Sequence, residues 1–287
     1  MARSEISLPL PGPPQELYIY YLAGHAGGAE ETFGSDFVGN WHEDDFSFLF
    51  FARPSGGIVR SLLDARPGLR LLDEFHMTYD EWQGGPFIPF EVGKFRILPP
   101  WDPGADIHCI QSSDTILLDP GLVFGNGSHP TTRNCLAALE LALGEGVPAT
   151  VMDIGTGTGL LALAAAKLGC PRVLAVDINR LAVRTASRNI RLNRLADRIL
   201  AVQGAAENFV DWAADVVIAN IHYDVMHRLI ESEGFLNEKK WLILSGLLRS
   251  EARRISERLS GLPVIILKKW EYDAIWHTFL IKSALTP

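Results

Sequence analysis

The chain contains the stretch Val151-Met152-Asp153-Ile154-Gly155-Thr156-Gly157-Thr158-Gly159, and about twenty residues later the stretch Val173-Leu174-Ala175-Val176-Asp177. Between the two lies a segment rich in Leu and Ala. An apolar strand that leads into a glycine-rich turn and a helix, followed by a second apolar strand ending on an acid, is the pattern of a mononucleotide-binding β-α-β unit. The sequence therefore predicts a nucleotide-like ligand at this turn.

The spacing of the glycines discriminates between possible ligands. A dinucleotide fingerprint requires Gly-x-Gly-x-x-Gly, whereas here Gly159 comes one residue early and Leu160 occupies the third glycine position. Asp153, just before the turn, would repel a pyrophosphate and suits a ligand with a cationic amino-acid end. Asp177 is placed to accept both hydroxyls of a ribose. These features favour S-adenosylmethionine, and a purely structural β-turn-α unit is the alternative.

Two segments that follow later strands fit the same ligand. The residues 204–207 follow the third strand, where an adenine ring would lie, and Asn220-Ile221-His222-Tyr223 ends the fourth strand at the ligand-binding edge of such a sheet. Asn220 is a candidate to direct its amide oxygen at the methyl donor or at an incoming amine; a turn or helix cap is its alternative role. His222 is a candidate general base, with a cap or rim contact as the alternative.

The order of predicted elements indicates the fold class. From residue 149 onward strands and helices alternate, which predicts an α/β fold with a mostly parallel sheet and helices on both faces. Two final strands, at 263–271 and 274–282, predict an antiparallel hairpin. This is a Rossmann-like arrangement, and we assign it to residues 84–287 as the domain expected to bind S-adenosylmethionine. Its N-terminal β extension includes predicted strands at 107–110 and 115–118.

Residues 1–83 predict a second, smaller α+β domain. Its elements run strand, loop, strand, strand, helix, strand, which resembles a ferredoxin-like fold from which the first helix has been lost. The boundary is expected near Asp80–Gly85, where Gly and Pro interrupt the pattern. Such units usually bind a partner or pack on a catalytic neighbour, although fold alone fixes no function.

Composition restricts the class of protein. The 287 residues are 47% hydrophobic and 21% charged, which supports a globular core, and no apolar run is long enough to span a bilayer. Three scattered cysteines without ligand spacing suggest a reducing cytoplasm and no metal site. The formal net charge of −8 makes direct nucleic-acid binding unlikely and fits a basic protein partner better.

A long polar segment links these observations to a known family. It reads Leu118-Asp119-Pro120-Gly121-Leu122-Val123-Phe124-Gly125-Asn126-Gly127-Ser128-His129-Pro130-Thr131-Thr132, and we call it the signature loop. It closely resembles the signature of the ribosomal protein L11 methyltransferase (PrmA) family, and the turn at 153–159 resembles motif I of class I S-adenosylmethionine-dependent methyltransferases. The resemblance extends from about residue 82 to the C-terminus.

The resemblance implies a protein N-methyltransferase that acts on lysine or N-terminal amines, with S-adenosylmethionine bound under the signature loop. The residues that we expect at the cofactor, from the resemblance or from the turn itself, are Phe124, Gly125, Thr132, Asp153, Gly155, Gly157, Asp177 and Asn220. Asn220 and His222 are the catalytic candidates. The chain departs from the family at His222-Tyr223, where Leu-Ala is usual, and in its shortened N-terminal domain.

Two other functions remain open at this point. A methyltransferase of the same fold could act on a small molecule or a nucleic acid, although the Asn-Pro-Pro-Tyr motif typical of adenine and glutamine methylation is absent. A cofactor-binding protein without catalysis is the non-enzyme alternative. The intact set of Asp153, Gly155, Asp177 and Asn220 argues against it.

Overall fold

A computed structural model of the chain describes residues 8–27 and 33–284. It divides into two compact units. The smaller runs from Pro11 to Ile88, and the larger comprises the residues from Pro89 onward with those before Pro11. The predicted start of the small domain, residues 1–7, lies outside the described residues. None of the helices in the described ranges is long and apolar enough to cross a membrane.

The smaller unit is a four-stranded antiparallel sheet with one long helix. Its elements are β1 (Glu16–Ala23), β2 (Phe37–Glu43), β3 (Phe46–Phe51), α1 (Gly56–Ala65), β4 (Arg70–Thr78) and the short α2 (Tyr79–Gln83). The strands lie in the order β2-β3-β1-β4, which is the ferredoxin-like order. The described residues between β1 and β2 form no α-helix.

The connection between β1 and β2 is held by one buried hydroxyl where the ferredoxin-like fold would have a helix. Ser47 Oγ accepts a hydrogen bond from Ala26 N at 2.8 Å and donates to Gly24 O at 2.8 Å. Ala26 and Phe33 enter the same core cluster as Val59 of α1. The described part of this connection therefore buries two apolar side chains and is held to β3 through Ser47.

The larger unit begins with a three-stranded sheet and a short helix. Strands β5 (Phe90–Val92), β6 (Phe95–Leu98) and β7 (Thr115–Leu117) are joined in that order, with α3 (Ile107–Gln111) between β6 and β7. The predicted strand at 107–110 is wrong, because this segment is helical. Asp106 accepts a hydrogen bond from Cys109 N at 3.0 Å and so caps the turn. This local cap outweighs the strand preference of Ile107 and Ile110.

The main sheet follows and confirms the α/β fold class. In chain order its elements are α4 (Pro130–Gly144), β8 (Thr150–Ile154), α5 (Leu160–Lys167), β9 (Arg172–Asp177), α6 (Arg180–Leu192), β10 (Ile199–Gln203), β11 (Val216–Asn220), α7 (Tyr223–Glu231), β12 (Trp241–Leu248), α8 (Arg249–Leu259), β13 (Val264–Tyr272) and β14 (Trp276–Ser283).

The strand order of the main sheet determines where a ligand can bind. The order is β10-β9-β8-β11-β12-β14-β13; the first five strands are parallel and the last two form the predicted antiparallel hairpin. The chain moves outward from β8 through β9 to β10, and then returns to β11 on the other side of β8. This reversal opens a crevice at the carboxyl ends of β8 and β11.

Candidate functional site

The glycine-rich turn lies at this crevice and is fixed by the neighbouring strand. The N–H groups of Gly155 and Thr156 both donate to Val176 O of β9, at 2.8 and 3.0 Å. A Cβ at Gly155 would collide with the side chain of Ile221, which follows β11. Glycine at this position therefore lets the turn approach the end of β11, where Asn220 is located.

Asp177 ends β9 beside the turn and has capacity for further hydrogen bonds. Its Oδ2 accepts from Gly157 N at 3.0 Å and its Oδ1 accepts from Asn179 N at 2.9 Å. A carboxylate offers about four acceptor positions, so each oxygen can accept one more hydrogen bond. Burial raises the pKa of Asp177 above its ordinary value. Gly204 N donates to Asp177 O at 2.9 Å and holds the end of β10 alongside.

Asp153 lies beneath the turn. Its side chain is in a residue only 1% exposed, and its Oδ2 accepts a hydrogen bond from Thr156 Oγ1 at 2.6 Å. Its Oδ1 is buried and has no hydrogen-bond partner within the described ranges. Burial raises the pKa of Asp153 to about 7. The carboxyl group supports the turn from below and carries a negative charge that a cationic ligand above it would stabilise.

The pKa of Asp153 leads to a testable effect on stability. The folded protein keeps a proton on this carboxyl over a pH range in which the unfolded chain has released it, so the free energy of unfolding falls as pH rises from about 4 to about 7. We expect Asp153→Asn, which does not titrate, to gain about 2–3 kcal/mol relative to wild type between pH 5 and pH 8. Urea unfolding at several pH values measures this difference.

A matched variant serves as the control. Asp197→Asn changes an exposed carboxyl in the same way and should follow the wild-type pH dependence. Parallel curves for Asp153→Asn and wild type would contradict the expected titration of the buried group.

The signature loop packs directly on the glycine turn. Thr158 N donates to Phe124 O at 3.2 Å, and Thr158 Oγ1 donates to Gly125 O at 2.6 Å. Gly157 has φ +55°, and a Cβ there would lie 2.5 Å from Phe124 O. The Phe124 ring itself is 81% exposed. The loop thus contacts the turn through its backbone and presents an aromatic side chain at the surface beside it.

The end of the loop connects to the carboxyl ends of β11 and β12. His129 caps α4, where its Nδ1 accepts from Thr131 N at 3.4 Å. Thr132 is buried, and its Oγ1 accepts from Asn220 Nδ2 at 3.4 Å. Because the Asn220 nitrogen is directed to the loop, its amide oxygen is the group available to a substrate. A Cβ at Gly246 would lie 3.0 Å from this oxygen, so the glycine keeps that space open.

His222 takes a different position from the other predicted residues. It is exposed and occupies the N-cap position of α7, without a side-chain cap hydrogen bond. Its side chain therefore stands at the rim of the crevice. The other predicted residues fall into two groups: Asp153 lies under the turn, and the residues at the carboxyl edge are Phe124, Gly125, Thr132, Gly155, Gly157, Asp177 and Asn220.

Sequence reasoning missed Asn189, which joins the signature loop to the turn. The available signal was two asparagines four residues apart in line with the mostly apolar buried face of α6, Asn189 within the helix and Asn193 at its C-cap. No group of three or more His, Cys, Asp or Glu residues in the described part of the chain could hold a metal ion.

The donor set fits S-adenosylmethionine. Two carboxyl groups flank the turn and would repel a pyrophosphate, whereas Asp177 keeps acceptor positions for a ribose. Exposed Ile178 next to Asp177 and exposed Phe124 offer apolar surface for a heterocycle. A parallel sheet with a terminal antiparallel hairpin and this crevice define a class I S-adenosylmethionine-dependent methyltransferase.

Comparison with known proteins identifies the family. The family model for ribosomal protein L11 methyltransferase (PrmA) matches residues 78–283. The chain belongs to this family. A ribosomal protein L11 methyltransferase of Desulfitobacterium hafniense is 33% identical over 263 residues, which cover 83% of this chain and 82% of that protein.

Two further matches support the assignment. A protein of the same description from Anoxybacillus flavithermus is 37% identical over 169 residues, covering 58% of this chain and only 52% of the relative. The crystal structure of ribosomal protein L11 methylase from Lactobacillus delbrueckii subsp. bulgaricus superposes with a TM-score of 0.59 at 30% identity, covering 69% of this chain and 99% of that one.

Proposed function

We propose that this protein transfers methyl groups from S-adenosylmethionine to amino groups of a ribosomal protein, either lysine side chains or the N-terminal amine. The observation that carries the proposal is the orientation of Asn220 at the crevice. Its nitrogen is bonded to Thr132 of the signature loop, which leaves its carbonyl oxygen for the N–H of an amine. A ribosomal acceptor also agrees with the cytoplasmic location predicted from the sequence.

The proposed role of the chain in the reaction is alignment and exclusion of water. S-adenosylmethionine supplies an electrophilic methyl group, and a lysine amine with pKa about 10.4 must lose its proton before it can attack. Asn220 orients the neutral amine, and the signature loop shields the crevice from water. The cofactor is proposed to be held by Asp177 and by the backbone at Gly155 and Gly157. Phe124, Gly125 and Thr132 are proposed to lie along its outer side, and the Asp153 carboxyl is proposed to lie beneath it.

His222 is the proposed acceptor of the amine proton, because it stands at the rim two residues beyond Asn220. We expect His222→Asn to lower kcat at neutral pH by ~100-fold and to remove the corresponding limb of the pH–rate profile. The matched control is His227→Asn, one turn further along α7, where the imidazole faces Glu231 at 3.5 Å. A pH–rate profile that His222→Asn leaves unchanged would exclude His222 as the base.

The small N-terminal domain, predicted as residues 1–83, is proposed to recognise the acceptor protein. One face of its sheet carries partly exposed aromatic rings: Tyr21 stacks on Phe48 at 4.6 Å and contacts Phe46 at 5.3 Å. On the same face Phe75 of the edge strand β4 is 42% exposed. A partly exposed apolar surface of this kind on a sheet face is suited to contact with another protein.

A labelling experiment tests the substrate class. The enzyme and S-adenosylmethionine with a radioactive methyl group are added to a cell extract, either intact or pretreated with protease. We expect label in precipitable protein from the intact extract and its loss after protease treatment. Label that appears only in small molecules, or in nucleic acid after protease treatment, would overturn the proposal in favour of the corresponding alternative.

A further inference from the structure

Helix α6 and its C-cap residue bury two asparagine side chains that differ in what they connect. Asn189 is 0% exposed and Asn193 is 2% exposed. Burying an amide is unfavourable unless its polar atoms are hydrogen-bonded, so each side chain should have bonding partners. Both asparagines use backbone groups of distant segments as those partners.

Asn189 bonds to both parts of the cofactor site at once. Its Oδ1 accepts from Asp119 N at 2.9 Å, and its Nδ2 donates to Asp119 O at 2.9 Å. The same Nδ2 also donates to Thr158 O at 2.8 Å. Asp119 begins the signature loop and Thr158 belongs to the glycine turn, so one amide group joins the two segments.

Asn193 makes a similar set of bonds but does not reach the turn. Its Oδ1 accepts from Leu117 N at 3.0 Å, and its Nδ2 donates to Leu117 O at 2.7 Å and to Asn189 O at 2.9 Å. It therefore anchors the end of β7 to α6. The two asparagines are matched in residue type, burial and kind of partner, and only Asn189 touches the glycine turn.

We propose that Asn189 is a positioning residue that fixes the separation between the signature loop and the glycine turn, and thereby the affinity for S-adenosylmethionine. The middle of the loop is attached to the turn by the two hydrogen bonds that Thr158 donates to Phe124 O and Gly125 O. Near its start the loop is attached to the turn through Asn189. Without Asn189 the start of the loop keeps its bonds to Leu98 and Arg188, but it loses its hydrogen bond to the turn and can shift relative to it. S-adenosylmethionine binding must then bring the loop back against the turn. The free energy that this requires makes binding weaker. This inference rests on the proposed position of the cofactor beneath the loop.

The test compares Asn189→Ala with Asn193→Ala. Five quantities are measured on the full chain: the Tm, the Kd for S-adenosylmethionine by calorimetry, kcat, KM, and the hydrogen exchange of peptides from residues 118–129. We expect both variants to lose stability. Asn189→Ala should also raise the Kd and the KM for S-adenosylmethionine by about tenfold with a smaller change in kcat, and should speed exchange in the loop. Asn193→Ala should leave the Kd within about twofold of wild type.

The remaining outcomes overturn the inference in distinguishable ways. Unchanged loop exchange in Asn189→Ala would show that Asn189 does not hold the loop. Faster exchange with an unchanged Kd would show that the loop is held but that the cofactor does not depend on it, which would also contradict the proposed cofactor position. Equal increases of the Kd in both variants would indicate a general loss of stability. If Asn189→Ala does not fold, Asn189→Ser, which replaces the amide by a hydroxyl group on Cβ too short to reach both segments, allows the same comparison.

Discussion

Replacement of Asp177 by Ala is expected to weaken S-adenosylmethionine binding by ~100-fold or more, because each of the two charge-assisted hydrogen bonds proposed between its carboxylate and the ribose hydroxyls is worth about 1.5–3 kcal/mol. The variant also removes the acceptor for Gly157 N and Asn179 N, so the turn itself loses support. Calorimetric titration with S-adenosylmethionine measures the change in Kd.

Gln203→Ala is the control for this variant. Gln203 ends the neighbouring strand β10, and its Nε2 donates to Ile178 O at 3.2 Å, so it lies at the same edge of the sheet without a carboxylate. We expect its Kd to remain within a few-fold of wild type. If Asp177→Ala bound the cofactor as tightly as wild type, the assignment of Asp177 to the ribose would be wrong.

Replacement of Gly157 by Ala is expected to lower kcat/KM by ~100-fold or more, since two unfavourable effects add. The backbone has φ +55°, which costs an Ala about 1–2 kcal/mol. The new Cβ would lie 2.5 Å from Phe124 O, and this carbonyl is bonded to Thr158 N and cannot retreat without moving the loop. Steady-state kinetics with the protein acceptor measures the effect.

Gly144→Ala separates this effect from the general consequence of adding a methyl group. Gly144 lies at the end of α4, and a Cβ there would meet no atom within 4 Å. Wild-type kinetics are expected for this control. Wild-type kinetics for Gly157→Ala would mean that the loop does not need to lie against the turn for the reaction to proceed.

The main sheet could be predicted from the sequence because its signals are local and repeated. Each strand from β8 to β12 is a short apolar run, and the intervening helices have apolar residues at helical spacing. The terminal hairpin and the absence of an α-helix from the described residues between β1 and β2 were also predictable, since both depend on the order of elements along the chain. Motif I and the signature loop then indicated the cofactor.

The short helices could not be predicted in the same way. α2 and α3 have five residues each, which is too short for a hydrophobic period to be visible. Their signals are caps instead: Thr78 and Glu81 form a capping box at α2, and Asp106 caps α3. At 107–110 the aliphatic side chains pointed to a strand, and the cap was the better predictor.

The role of Asn189 depends on tertiary contacts that no local pattern contains. Its partners Asp119 and Thr158 are distant in sequence and come together only when the signature loop lies over the turn. Similarly, the sequence predicted that Asp153 precedes the turn, but not that its carboxyl is buried with an unbonded oxygen and a pKa of about 7. Burial and hydrogen bonding to remote backbone are properties of the folded chain.

The most direct test of the central proposal is mass spectrometry of purified ribosomal protein L11 after incubation with the enzyme and S-adenosylmethionine. The proposal predicts that the acceptor gains one or more methyl groups on lysine side chains or on its N-terminal amine, and that Asp177→Ala produces none under the same conditions. An acceptor that remains unmodified by an enzyme preparation shown to bind S-adenosylmethionine would contradict the proposal.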